Sequence, residues 1–169
     1  MYDIFISYAS EDVDFVKELA EDLENEGFSV WWDISIPTGK NFDEVIEEAL
    51  KKSSSVVVLW STYSVGSDWV RLEAGEGRAK KRLVPVKIEE VKIPFAFKNI
   101  QTANLIHWNR DHDHPDFRRL VNDINSILGL EPEPPQPPVP RITSFKKYLL
   151  PAILVVSLVL AGIFWIKNR

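Results

Sequence analysis

The chain has 169 residues, no cysteine, and 20 Lys and Arg against 25 Asp and Glu. That length holds one globular domain with an appendage, and the missing cysteine excludes disulfides, thiol nucleophiles and thiolate metal sites. Five of the basic side chains and none of the acidic ones lie from Arg141 onward, so the first 140 residues carry a formal charge of −10; a head this acidic excludes nucleic acid as partner, because that binding rests on neutralising phosphates.

The N-terminus, MYDIFISYASED, is short, acidic and strand-like. It has no basic n-region or long apolar run, so it is not a secretory signal and the head is expected in the cytoplasm. A first strand is predicted over 4–8. Val16, Leu19, Ala20 and Leu23 then fall on one helical stripe, with Ser10 as expected N-cap, Glu11 and Asp12 in the first turn and Gly27 as the stop. A second strand follows over 28–32, and Phe42, Val45, Ile46 and Ala49 mark a second helix. The segment 56–60 is apolar at every position, as expected of a parallel strand covered on both faces. Ser67 is placed to cap the next helix, which carries Trp69 and Glu73 four residues apart and therefore on one face. A fourth strand is expected over 83–88, loop with room for a short helix over 89–103, and a fifth strand over 105–108. Pro115 suits the first turn of a last helix bearing Phe117, Leu120, Val121, Ile124 and Leu128.

Strands and helices alternating at this spacing predict right-handed crossovers, hence an α/β fold: a flavodoxin-like parallel five-stranded sheet with helices on both faces. Ligands of such sheets bind outside the carboxyl ends of the strands, near a switch in strand order. Residues 7–10, Asp33 with its loop, residues 61–67 and the loop after Ile88 should converge there.

The head is expected to occupy residues 1–130. Residues 131–147 form a Pro-rich and basic linker. Its first ten residues, EPEPPQPPVP, hold six prolines and favour polyproline II, a semi-rigid spacer of roughly 30 Å. A transmembrane helix is expected over 148–166. Its uncharged run, LLPAILVVSLVLAGIFWI, has 18 residues and as a helix spans about 27 Å, near the bilayer core of roughly 30 Å. Tyr148 and Trp165 stand near its ends, where interfacial aromatics sit. Residues 167–169 are a short basic tail. The expected location is thus a single-pass membrane protein with its N-terminal domain cytoplasmic. Arg141, Lys146 and Lys147 are placed to meet anionic lipid.

At several of these places the chain resembles the TIR (Toll/interleukin-1 receptor) domain family, most closely its bacterial members. YDIFISYASED at 2–12 is similar to the family's first box. FSVWWDISIPTGKNFDEVIEEAL at 28–50 resembles its second strand, functional loop and following helix. VVVLWSTYSVGSDWVRLEAGEG at 56–77 resembles the third strand and acidic helix of members that cleave NAD+, and NLIHW at 104–108 resembles the third box. The loop departs from animal signalling receptors, reading Ile36-Pro37-Thr38-Gly39 where those carry Arg-Asp-x-x-Pro-Gly.

The resemblance implies an NAD+ nucleosidase, hydrolase or cyclase, working in bacterial immune signalling and activated by self-association or contact with other TIR domains. NAD+ is its substrate, and no cofactor is expected. Cleaving the nicotinamide–ribose bond builds a ribosyl cation, and the leaving group departs neutral from a pyridinium. A single carboxylate can stabilise that cation. Glu73 is the expected catalytic residue; its alternative is a solvated glutamate among Arg71, Glu76 and Arg78. Trp69, Tyr8, Asp33 and Phe42 are the expected substrate-binding residues. Each has a structural alternative: Trp69 as a half-buried helix aromatic, Tyr8 covering the sheet edge, Asp33 capping a turn, Phe42 on its helix stripe. No metal is expected, since His107, His112 and His114 lack a ligand frame and suit loop or cap roles. No glycine-rich phosphate loop or nucleophile elbow occurs. The alternative function is a non-catalytic TIR scaffold tethered to the membrane.

Overall fold

The computed structural model describes residues 1–32 and 42–130, without the side chain of Phe42. Strand β3 (Ser53–Trp60) lies at its centre. Its side chains alternate between two layers, which is why the sequence shows an unbroken apolar run. Val57 and Leu59 join Ile4 and Ile6 of β1 (Tyr2–Ser7), and Val84 and Val86 of β4 (Leu83–Lys87), against α1 (Val13–Asn25) and α4 (Pro115–Leu128). Val56, with Phe5, meets Ile46, Ala49 and Leu50 of α2 (Phe42–Lys52). Val58 and Trp60 meet Val70 and Ala74 of α3 (Asp68–Ala79).

The sheet is parallel, in the order β2-β1-β3-β4-β5, with β2 at Val30–Trp31 and β5 at Ala103–Asn104. Strand order therefore reverses between β1 and β3. The carboxyl ends of these two strands, Ser7 and Trp60, mark the switch point where such sheets bind ligands.

Local signals explain the element ends. Ser67 caps α3, its hydroxyl accepting from the Val70 amide at 3.3 Å. Gly27 follows α1 at φ +95°, a conformation costly for any residue with a Cβ. Pro115 opens α4, and the N-cap is His114, whose Nδ1 accepts from the Asp116 amide at 3.3 Å. One expected cap is replaced. Residues Ser10–Asp12 form a separate 3-10 turn entered from Ala9, and Ser10 bonds Glu11 instead of a backbone amide. Residues 89–103 contain one short 3-10 turn, Phe95–Phe97.

The fifth strand lies upstream of its expected place at 105–108. Leu105 still donates to the Lys87 carbonyl at 2.9 Å, but the Asn104 side chain accepts from the Ile106 amide and turns the chain away. Trp108 enters the core from that turn, stacked on Phe117 with ring centres 5.2 Å apart. The apolar residues there mark core packing, which periodicity alone does not separate from a strand.

Among the described residues no helix is long and apolar enough to cross a membrane. The apolar run at 149–166, the proline-rich segment before it and residues 33–41 lie outside the described residues.

Candidate active site

Helix α3 brings Glu73 to the carboxyl end of β1. The residue is only 7% exposed. Its two carboxylate oxygens are held separately: Ser7 Oγ donates to Oε2 at 2.6 Å, and Trp69 Nε1 donates to Oε1 at 2.7 Å. Burial pushes the carboxyl above its ordinary range, and the hydrogen bonds from Ser7 and Trp69 pull it back down. Among the described residues no salt bridge to Glu73 is found. A buried carboxylate held by two neutral donors keeps lone pairs for a cationic partner.

The seating of α3 fixes this geometry. Gly77 packs so close to β3 that a Cβ there would stand 2.9 Å from Val56 Cβ. The loop before the helix is fixed as well. Ser61 donates to the buried carboxylate of Asp12 at 2.6 Å, and Ser61 Oγ accepts from the amides of Tyr63 and Ser64. Burial raises the Asp12 carboxyl, and the Ser61 bond opposes that shift. On the other side of the loop, the Thr62 amide and hydroxyl both donate to Glu89 at 2.7 Å. Residues 7–10, the loop of 61–67 and the start of the loop after Ile88 therefore do converge.

Glu73 lies where two hollows meet. A cavity of about 120 Å³ is lined by five aromatic rings, Phe5, Tyr8, Trp31, Trp32 and Trp69, together with Ile6 and Ile46. Phe5 and Trp31 are stacked at 4.9 Å and fix its floor. Tyr8 lines the wall and donates its hydroxyl to the Trp32 carbonyl at 3.1 Å. A wider groove of about 350 Å³ runs between α2 and α3, lined by Asp43, Ile46, Glu47, Leu50, Leu72 and Glu76 beside Trp69 and Glu73. Trp69, 43% exposed, forms part of both walls.

Of the expected site residues, Glu73, Trp69 and Tyr8 come together around one cavity. Asp33 and the side chain of Phe42 lie outside the described residues, although the Phe42 backbone begins α2. Ser7, Trp31 and Trp32 enter the site without having been singled out. Ser7 had a signal: it falls two residues after Phe5 in a strand buried on both faces, and a polar side chain there needs a partner.

The three histidines are apart from this site. His112 pairs with Glu26 at 3.0 Å, and Arg110 and Arg118 bind Asp22 and Glu26, tying α1 to the segment before α4 and to α4 itself. Among the described residues no group of His, Asp and Glu could hold a metal ion.

The sequence profile of the TIR domain matches residues 4–121. The chain is 37% identical over 92 residues to the 2′ cyclic ADP-D-ribose synthase AbTIR of Acinetobacter baumannii, covering 50% of this chain and 34% of that protein. It is 38% identical over 92 residues to the NAD(+) hydrolase TcpA of a Theionarchaea archaeon, covering 50% of this chain and 28% of that protein. The chain thus spans about a third of the length of these relatives. In fold it is similar to the TIR domain of the Toll-related receptor TRR-2 from Hydra magnipapillata, with a TM-score of 0.64 at 23% identity, covering 74% of this chain and 99% of that one.

Proposed function

Because this chain belongs to the TIR domain family, we propose that it cleaves the nicotinamide–ribose bond of NAD+ with Glu73 as the catalytic carboxylate. One observation carries the reading: a buried carboxylate, held on each oxygen by a neutral donor, stands at the mouth of an aromatic cavity. Nicotinamide in NAD+ is a cationic aromatic ring. Indole and phenol faces attract such a ring by cation–π interaction, and the adjacent carboxylate adds Coulomb attraction. None of the described residues lining the cavity is basic, so the cavity suits the pyridinium end of NAD+ and not its diphosphate.

The chemistry is undemanding in groups. The C–N bond breaks heterolytically, nicotinamide leaves as a neutral molecule, and positive charge builds on the ribosyl carbon. Glu73 stabilises that charge from a site already desolvated, where its field is stronger than in water. Trp69 and Tyr8 hold the ring, and Asp33 and Phe42 complete the substrate contacts. Attack by water yields ADP-ribose; attack by a hydroxyl of the same molecule yields a cyclic product. NAD+ is consumed as substrate and no cofactor is needed. The relatives named for NAD(+) hydrolysis and cyclic ADP-ribose synthesis support this reading.

The apolar run at 149–166 anchors the protein as a single span with residues 1–130 cytoplasmic, and anchoring concentrates the heads so that they self-associate and become active. The setting is bacterial immune signalling. A second reading, a scaffold without catalysis, draws on two exposed apolar side chains, Leu72 at 68% and Phe95 at 88%. Nicotinamide release by the full chain in lipid vesicles, compared with Glu73→Ala, separates the two. Release lost in the variant supports catalysis, and absence of release from the parent at every surface density supports the scaffold.

A further inference from the structure

We infer that Ser7 is a positioning residue for Glu73: its hydroxyl fixes Oε2 from inside the fold and leaves Oε1, at the rim beside Trp69, as the oxygen that meets the substrate. The inference rests on the NAD+-cleaving reading of this site.

The two donors differ in mobility. Ser7 is 1% exposed and ends β1, in register with Val58 of the central strand, so its backbone cannot drift. Trp69 is 43% exposed and stands on the outer wall. A ribose hydroxyl entering the cavity can join or replace the indole N–H on Oε1, because both are neutral donors. Nothing entering from solvent can replace Ser7 on Oε2.

Ser7 also departs from the other buried serines of the sheet. Ser53 donates to the Ala49 carbonyl at 2.8 Å and Ser55 to the Asp3 carbonyl at 2.7 Å, both serving the backbone. Ser7 instead donates to a carboxylate 66 residues away, at a distance typical of a charge-assisted bond. Without the Ser7 hydroxyl, Oε2 loses its donor, the carboxylate becomes harder to ionise, and it is free to rotate away from the reacting carbon.

The test uses the full chain with Ser7→Ala and Ser7→Thr, the second keeping the hydroxyl. Two readouts are taken: kcat and KM for NAD+ across pH, and titration of the Glu73 carboxyl by carbon-13 NMR, its resonance assigned by its loss in Glu73→Gln. Ser7→Ala should lower kcat about ten- to a hundredfold, as expected for loss of one buried hydrogen bond to a charge. KM should stay within about twofold. The acid limb of kcat and the Glu73 titration should both move to higher pH, and Ser7→Thr should recover most of each. A Glu73 titration unmoved in folded Ser7→Ala overturns the inference, as does an unchanged kcat. If the parent cleaves no NAD+, the proposed function fails, and the NMR titration alone decides the role of Ser7. If Ser7→Ala does not fold, Ser7→Cys, a weaker donor of similar size, carries the same comparison.

Discussion

Two glycines on α3, Gly75 and Gly77, separate helix propensity from packing. At Gly75 an added Cβ meets nothing within 4 Å; at Gly77 it meets Val56 Cβ at 2.9 Å and both Val56 methyls at 3.3 Å. Val56 is fully buried on the central strand, paired with Phe5 on one side and Leu83 on the other. It cannot yield, so α3 must retreat by roughly 0.6–1 Å to restore an ordinary carbon–carbon separation. Such overpacking costs about 1–3 kcal/mol. Alanine in place of glycine gains about 1 kcal/mol of helix propensity at either position. Gly75→Ala should therefore stabilise by up to about 1 kcal/mol, and Gly77→Ala should be neutral or destabilising by up to about 2 kcal/mol. Propensity cancels between the variants, leaving the contact as the difference. In a domain of this size that difference corresponds to roughly 4–12 °C in Tm. The retreat also stretches the 2.6 Å bond between Ser7 and Glu73, so NAD+ cleavage should fall in Gly77→Ala and hold in Gly75→Ala. Differential scanning calorimetry beside nicotinamide release measures both. Equal rises in Tm for the two variants would refute the close seating of α3 on β3.

Glu73→Gln should raise Tm, because Gln can accept from Trp69 and donate to Ser7 without a desolvated charge. The folded state holds the Glu73 proton more tightly than the unfolded state, so ionisation costs stability as pH rises through the raised value. The gain should be largest at pH 7.5 and shrink toward pH 4, and a pH-independent gain would contradict the burial argument. His112→Gln should show the opposite sign. Glu26 holds the imidazolium, burial opposes it, and Asp22 adds to the hold, so its proton is favoured on balance. The stabilisation is present below the ordinary histidine range and lost as pH rises through the raised value. Thermal melts should show His112→Gln below the parent at pH 5.5 and equal to it at pH 8.5, by less than about 1 kcal/mol because the ring is partly exposed. Arg82 is buried and donates to the carbonyls of Ser53 and Leu50, joining α2 to β3. Arg82→Ala should cost about 2–4 kcal/mol in urea unfolding, and Arg82→Lys should recover less than half because ammonium cannot span both carbonyls.

Much of this fold was legible because its strands are buried on both faces. Val56, Val57, Val58 and Leu59 carry no period, but the run is short, β-branched and bounded by serines, which marks a strand covered on both faces; Ser67, Gly27 and Pro115 mark ends by chemistry that acts within a few residues. The fifth strand differs from its expected place because Leu105 and Trp108 are apolar for tertiary reasons, while the short pairing at Ala103 and Asn104 leaves almost no pattern. Glu73 and Trp69 could be paired from their i,i+4 spacing alone, and the bond between them spans that interval. Their third partner could not be paired in this way. Ser7 is 66 residues from Glu73, and only the reversal of strand order between β1 and β3 brings the end of β1 to α3. Trp31 and Trp32 are hidden for a related reason: adjacent indoles at a strand's end resemble core, and their place on a cavity wall follows from the neighbouring strand.

Nicotinamide release from the full chain in lipid vesicles, measured beside Glu73→Gln at equal surface density and equal folding, decides whether Glu73 cleaves NAD+. Gln keeps the shape of the side chain and both neighbours' hydrogen bonds but carries no charge to stabilise a ribosyl cation. The parent should release nicotinamide, and release should fall at least about a hundredfold in the variant, the scale on which removal of one electrostatic stabiliser lowers kcat. Release by Glu73→Gln at the parent's rate would contradict the catalytic role of Glu73.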